Sequence, residues 1–328
     1  MNFGGGGFTS RTSVVNLTDC GGIERMKKLS KALLSSRRSV CIASAALSAM
    51  LLSLSSHAAP IRIMAAGDSI TEGYIDEDSS GTLVPFSSGL DDLNNDGFAN
   101  SGDAPFQFAW RRQFVSRLAA DGISFDMVGT KQAGVGFANG NDNDHQGAAG
   151  FQANAIQGEV AGALPSQMPD VGIILAGVND IILANRNAAA TFARITNIVS
   201  EFDNASSVDH IFLSTLTPIF PFMGSTYASI AGKEPVIDEL NDLIRDSFDV
   251  GGIYFGRTDI HLVDGFAAFS ANATNLPDGL HPSSSAYDAL GNTFADEFLA
   301  VVPEPGTVGL AGLAALTLVT RKRRPLGA

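Results

Sequence analysis

Ile61-Arg62-Ile63-Met64-Ala65-Ala66-Gly67-Asp68-Ser69-Ile70-Thr71-Glu72-Gly73-Tyr74 is the stretch on which the fold turns. A short apolar run ends abruptly in Gly67, Asp68 and Gly73, residues that favour turns. We read a buried strand that delivers Ser69 to a sharp turn ahead of a helix. In an open α/β sheet such a turn lies at the carboxyl edge, where ligands bind. Ser69 is therefore a candidate nucleophile. The same residues also describe an ordinary turn whose serine caps a helix. What decides is whether later strands bring a base, a carboxylate and oxyanion donors to the same edge.

Downstream, strand and helix patterns alternate. Ser124–Thr130 reads as a short strand, and Gly134–Gly150 as a Gly/Asn-rich loop ending in Asp144-His145-Gln146-Gly147-Ala148-Ala149-Gly150. Glycines three apart ahead of a helix can aim a backbone N–H into a cleft, because no Cβ blocks close approach. Val171–Ala176 is apolar throughout, as a central parallel strand should be, and it ends in Gly177-Val178-Asn179-Asp180. There the Asn179 amide can donate to a developing oxyanion; helix N-capping is its other reading. A helix with Phe192, Ile195, Val199 and Phe202 on one face follows. Then come strand His210–Leu216, an apolar run Ile219–Met223 that reads as a pocket wall, helix Glu234–Phe248 and strand Asp259–Val263. This alternation predicts one parallel α/β sandwich over residues 60–300.

The last loop, Asn275-Leu276-Pro277-Asp278-Gly279-Leu280-His281, places Asp and His three apart, so that the carboxylate can hold one imidazole nitrogen while the other points to Ser69. Of the five histidines, His57 belongs to the leader, His210 and His261 sit on strand starts, and His145 lies in the glycine loop as a wall or loop group. His281 is left as the base. Ser69, Gly150, Asn179, Asp278 and His281 thus fall at the carboxyl ends of different units.

On these residues the chain resembles the SGNH/GDSL hydrolases: Gly67-Asp68-Ser69 as the first block, Gly147 to Gly150 as the second, Gly177-Val178-Asn179-Asp180 as the third and Asp278-Gly279-Leu280-His281 as the fifth. The resemblance implies a flavodoxin-like three-layer α/β/α sandwich with about five parallel strands. It also implies an ester hydrolase with no cofactor for catalysis. Ser69, Asp278 and His281 would be its triad, with Ser69, Gly150 and Asn179 as its oxyanion hole.

Charge narrows the partners. Residues 59–300 hold 10 Lys and Arg against 31 Asp and Glu. So acidic a surface repels nucleic acid and suits a neutral substrate or a divalent cation. The termini are basic instead. From Met26 a Lys-rich start, the apolar run Val40–Leu54 and Ser56-His57-Ala58-Ala59 read as a secretory signal, so residues 1–58 read as a leader; residues 1–25 are either an extension of it or a misassigned start, with Met26 the better start. Both cysteines, Cys20 and Cys41, lie in it, which leaves the mature domain without a thiol or disulfide. Residues 302–324 join Val302-Pro303-Glu304-Pro305 to the apolar Val308–Val319 and to Arg321-Lys322-Arg323-Arg324, about a dozen apolar residues where a full span needs roughly 17 to 25. They resemble the PEP-CTERM sorting signal. That resemblance implies transient inner-membrane retention, an exosortase-type partner, and delivery to the surface or extracellular matrix of a Gram-negative bacterium.

Residues 76–103 form a polar insertion. Within it Asp92, Asn94, Asp96, Asn100 and Asp103 stand at positions 1, 3, 5, 9 and 12 of a calcium-type loop, with Gly97 at 6 and the Phe98 carbonyl at 7. The pattern resembles a dockerin repeat and predicts a structural Ca2+; a solvated turn without an ion is the other reading. Export and an acidic rim favour a carbohydrate esterase acting on acetylated polysaccharide. A lipolytic esterase or thioesterase, or a calcium-stiffened, non-catalytic matrix-binding protein, are the alternatives.

Overall fold

The computed structural model describes residues 59–73, 109–132, 142–221 and 230–302. The leader, the 76–103 insertion with its calcium-loop residues Asp92 to Asp103, and the tail beyond Val302 lie outside the described residues.

In chain order the elements are β1 (Ile61–Gly67), α1 (Ser69–Glu72), α2 (Trp110–Ala120), β2 (Phe125–Met127), β3 (Lys131–Gln132), β4 (Asp144–Gly147), α3 (Ala153–Gln167), β5 (Val171–Leu175), α4 (Val178–Ile182), α5 (Ala188–Asp203), β6 (His210–Ser214), α6 (Glu234–Asp246), β7 (Ile260–Val263) and α7 (Ser284–Val301). β1 is central, and Ile63 to Ala66 are wholly buried. On one flank it pairs in parallel with β5, from Ile63 opposite Val171 to Gly67 opposite Leu175, and β6 and β7 follow in parallel. On the other flank two short strands share its length, β2 beside Ile61–Ile63 and β4 beside Ala66 and Gly67. β3 runs antiparallel to β4. Successive strands therefore leave β1 in opposite directions, which opens a crevice at its carboxyl end.

Helices cover both faces of the sheet. A side chain on Gly172 would strike Phe202 of α5, with a Cβ only 2.6 Å from the ring. Phe212 stacks on Phe298 of α7 at 5.7 Å between centroids. Gly172 pairs with Ile211 and Ile173 with Phe212, so Gly172 and Phe212 point to opposite sides, and α5 and α7 lie on different faces. The three layers expected from the sequence follow. α2 joins α7 through Trp110 stacked on Phe294 (4.1 Å) and Phe114 edge-on to Phe298 (5.5 Å). Gly291 permits that approach, since a Cβ there would lie 2.3 Å from the Trp110 carbonyl oxygen.

The sheet has seven strands where about five were expected: the stretch read as a glycine loop contains β4, and the two-residue β3 pairs with it. Asp144-His145-Gln146-Gly147 carries no apolar alternation. It is a strand because β1 offers it an edge and because Gly129 lets the His145 backbone lie where a Cβ would come within 2.1 Å. His145 is accordingly buried in the sheet and not a loop residue. Ile219, read as pocket wall, is 5% exposed and part of the core, while Phe222 and Met223 lie outside the described residues.

Candidate active site

The turn after β1 fixes Ser69. Gly67 admits no side chain: a Cβ would stand 2.2 Å from both the Leu175 carbonyl oxygen and Thr71 Oγ1. Asp68 caps the one-turn helix α1, its Oδ1 accepting the Ile70 N–H at 3.0 Å, and Gly73 ends it at φ 104°. Ser69 therefore sits at the first position of a helix bolted to the carboxyl end of the central strand, 5% exposed.

His281 comes from the loop ahead of α7, 212 residues away, and its Nε2 lies 2.8 Å from Ser69 Oγ. Its Nδ1 lies 2.5 Å from Asp278 Oδ2. A carboxylate only accepts, so Nδ1 donates and Nε2 is left to accept the serine hydroxyl. The other Asp278 oxygen takes the N–H groups of Leu280 and His281, each at 2.7 Å. Burial alone would raise the Asp278 carboxyl, but the imidazole and these donors outweigh it and hold the group below the usual carboxylate range. Gly279 at φ 93° makes the turn that brings Asp and His together.

Around the serine, two backbone N–H groups, those of Ser69 and Gly150, find no acceptor among the described residues. Gly150 is exposed and adopts φ 75°. Asn179 is 4% exposed, and its Nδ2 donates to the Phe151 carbonyl at 3.1 Å, which leaves the second amide hydrogen for another acceptor. It does not cap its helix, because the N-cap of α4 is Gly177. All five residues that the sequence assembled thus lie at the carboxyl edge, Ser69 and Asn179 in the first turns of α1 and α4 and Gly150, Asp278 and His281 on loops. Three N–H donors beside a serine, a histidine and a carboxylate are what acyl transfer requires.

Several buried polar groups nearby were not singled out from the sequence. Asp68 Oδ2 is buried with no partner among the described residues, and burial, opposed by the Ile70 N–H and by His281, pushes this carboxyl up to about 7. His145 accepts the Gly147 N–H on Nδ1 at 2.9 Å, and burial, with Arg111 and Lys131, drives it down to about 2, so the ring stays neutral. Arg111 is fully buried and gives its guanidinium to the carbonyls of Thr71, Glu72 and Asn143. Asp180, fully buried, accepts the Ala153 N–H at 2.6 Å and pairs with Arg194 at 2.9 Å. Among the described residues no group of three or more His, Cys, Asp or Glu is arranged to hold a metal.

Comparison with known proteins bears on the fold. The fold is similar to that of a family 3 carbohydrate esterase from Talaromyces cellulolyticus, at TM-score 0.53 and 19% identity over 73% of this chain and 97% of that one. It is likewise similar to an acetyl esterase mutant solved with acetate ion, at TM-score 0.52 and 18% identity over 73% and 97%. A family 3 carbohydrate esterase from Clostridium thermocellum gives TM-score 0.50 and 20% identity over 74% and 96%. No curated protein sequence matches the chain. The PEP-CTERM protein-sorting motif matches residues 301–324. The GDSL-like lipase/acylhydrolase family model matches residues 65–289, and the chain belongs to that family of ester-bond hydrolases.

Proposed function

We propose that the chain removes acetyl groups from an extracellular glycan through an acyl-enzyme on Ser69. The observation that carries the reading is the 2.8 Å contact between Ser69 Oγ and His281 Nε2, with Asp278 on the far nitrogen. His281 takes the serine proton as Oγ attacks the ester carbonyl, and Asp278 steadies the imidazolium. The oxyanion is held by the N–H groups of Ser69 and Gly150 and by the free amide hydrogen of Asn179. His281 then gives that proton to the sugar oxygen as its bond to the acyl carbon breaks, so that the sugar leaves as a free hydroxyl. A water, deprotonated by the same ring, releases acetate and regenerates Ser69.

The acetyl-glycan substrate is favoured by the acidic surface, by the sorting motif, and by neighbours of like fold described as carbohydrate and acetyl esterases. In this reading residues 1–58 export the chain and residues 302–324 retain it at the inner membrane. An exosortase-type enzyme then releases it to the envelope or matrix of a Gram-negative bacterium. We place a structural calcium on Asp92, Asn94, Asp96, Asn100, Asp103 and the Phe98 carbonyl on the strength of their spacing. A melting temperature unmoved by chelation would remove that ion from the reading.

Acetylated xylan assayed beside p-nitrophenyl esters of two to eight carbons tests the substrate. We expect acetate release from the glycan, with ester turnover falling as the chain lengthens. Preference for the eight-carbon ester with no acetate from the glycan would favour the lipolytic alternative. Ser69→Ala should lower kcat by at least about 10⁴-fold, and a variant that keeps full activity would end the proposal.

A further inference from the structure

The loop that carries Gly150 spans Gly147 to Gln152, and its backbone donors are almost all accounted for. The Ala148 N–H goes to the Gly67 carbonyl at 3.0 Å, at the end of β1. The Phe151 N–H closes a turn on the Ala148 carbonyl at 3.1 Å. The Ala149 N–H goes to the carboxylate of Glu72, Oε2 accepting at 2.6 Å. From Gly147 to Phe151, with the Gly147 N–H on His145 Nδ1, Gly150 alone keeps an N–H with no acceptor among the described residues. The loop is also pressed against the helix that bears Glu72, since a Cβ on Gly147 would lie 2.6 Å from the Glu72 nitrogen. Beyond the loop, Asp180 holds the Ala153 N–H, and Arg194 steadies Asp180 while bonding Gln152 and Asn154.

We propose that Glu72 is a positioning residue: its carboxylate ties the loop of Gly150 to the one-turn helix of Ser69, fixing two oxyanion donors relative to each other. The inference rests on the acyl-transfer reading above. Glu72 and Ser69 are the last and first residues of α1, so any shift of the loop is referred directly to the nucleophile. Asp180 does the same from the side of Asn179, its neighbour in sequence. Glu72 acts by aiming the Gly150 N–H, and its contribution therefore falls on the chemical step and not on substrate binding.

Two variants separate reach from charge. Glu72→Asp keeps the charge but is one methylene too short to meet Ala149. Glu72→Gln gives up the charge but still presents an oxygen to that N–H. With p-nitrophenyl acetate, Glu72→Asp should lower kcat by about 10- to 100-fold, the range expected when a donor is misplaced by up to an ångström, with KM within threefold. Glu72→Gln should recover kcat to within about threefold of wild type. A Glu72→Asp enzyme with wild-type kcat overturns the clamp, as does a Glu72→Gln enzyme that falls as far as Glu72→Asp, or a loss borne by KM alone. Ser69→Ala is run beside them. Turnover that survives it overturns the nucleophile and the clamp together, whereas Ser69-dependent turnover indifferent to Glu72 overturns the clamp alone.

Discussion

The amino and carboxyl edges of the one parallel sheet treat polar groups in opposite ways. At the amino edge a pocket of about 550 Å³ is lined by Asp170, Asp209, His210 and Asp259, among others. These groups are half-buried or exposed. Asp259 shares Arg257 with Asp203 at the surface, and His210 leans on His261 at 3.1 Å. Water screens these pairs, and each is worth little. At the carboxyl edge Asp68, Ser69, Asn179, Asp180, Asp278 and His281 are all at most 5% exposed. There burial penalises every charge, so each group is held by a neighbour or kept neutral. The amino-edge pocket has no serine or cysteine among its lining residues. Beside the serine, burial shifts Asp68 up while Asp278 is held down; at the amino edge the Asp259 shift comes from its surface bond to Arg257.

The largest test sets one histidine contact against the other. Asp278→Asn leaves the loop its shape but removes the acceptor that fixes the His281 tautomer, and kcat should fall by about 10⁴-fold. His261→Asn, at the amino edge, should leave kcat within twofold. Steady-state kinetics on a short-chain ester checks both, and an equal loss in the two would erase the distinction between the edges.

The next test uses pH. Asp68 ionises at 3.8 in the unfolded chain and at about 7 when buried. Between those values the folded state keeps a proton that the unfolded state has lost, so this group's contribution to stability falls as pH rises and then levels off above about 7. Asp68→Asn has no such proton. Its stability relative to wild type should climb from pH 4 to pH 7 by roughly 4 kcal/mol and stay level beyond. His145, pushed down to about 2, tilts the profile the other way, but it does so in both proteins and cancels in the difference. Asp259 is the counterpart at the amino edge. Its bond to Arg257 lowers its carboxyl below 3.8, so its stabilisation is complete above that value and lost only in acid. Asp259→Asn should give a flat difference over pH 4–8. Urea unfolding across that range reads all three proteins, and a flat profile for Asp68→Asn would show that the carboxyl is solvated after all.

How far the sequence anticipates this edge depends on what sets each residue's place. β5 is legible because a fully buried parallel strand must be apolar. Ser69, Asn179 and the Asp278 to His281 pair are legible because strand ends, glycines and short loops carry local signals. β4 is not, since Asp144-His145-Gln146-Gly147 becomes a strand only through the edge offered by β1. Nor are the tethers at Glu72 and Asp180, whose partners are backbone N–H groups 77 and 27 residues away. Those contacts depend on how two loops meet, and side-chain type does not reveal a bond to someone else's main chain. Arg111 is hidden for the same reason: it donates to the carbonyls of Thr71, Glu72 and Asn143.

The smallest effect makes the sharpest comparison. Gly150 and Gly122 both have φ 75°, and a Cβ added at either would meet nothing within 4 Å. Gly122 closes α2 ahead of β2, on the amino side; Gly150 lies beyond β4, on the carboxyl side. Alanine at either position is strained by its backbone alone, and each substitution should destabilise by about 1–2 kcal/mol. Matched strain should not mean matched activity. Relaxing Gly150 turns an N–H that meets no acceptor among the described residues, so Gly150→Ala should lower kcat by about tenfold with KM little changed. Gly122→Ala should lower stability alone. Thermal melts paired with kinetics on the two variants isolate the function of that N–H from the cost of its conformation. Equal kcat in both would mean that the glycine beside Ser69 serves the turn and not the oxyanion.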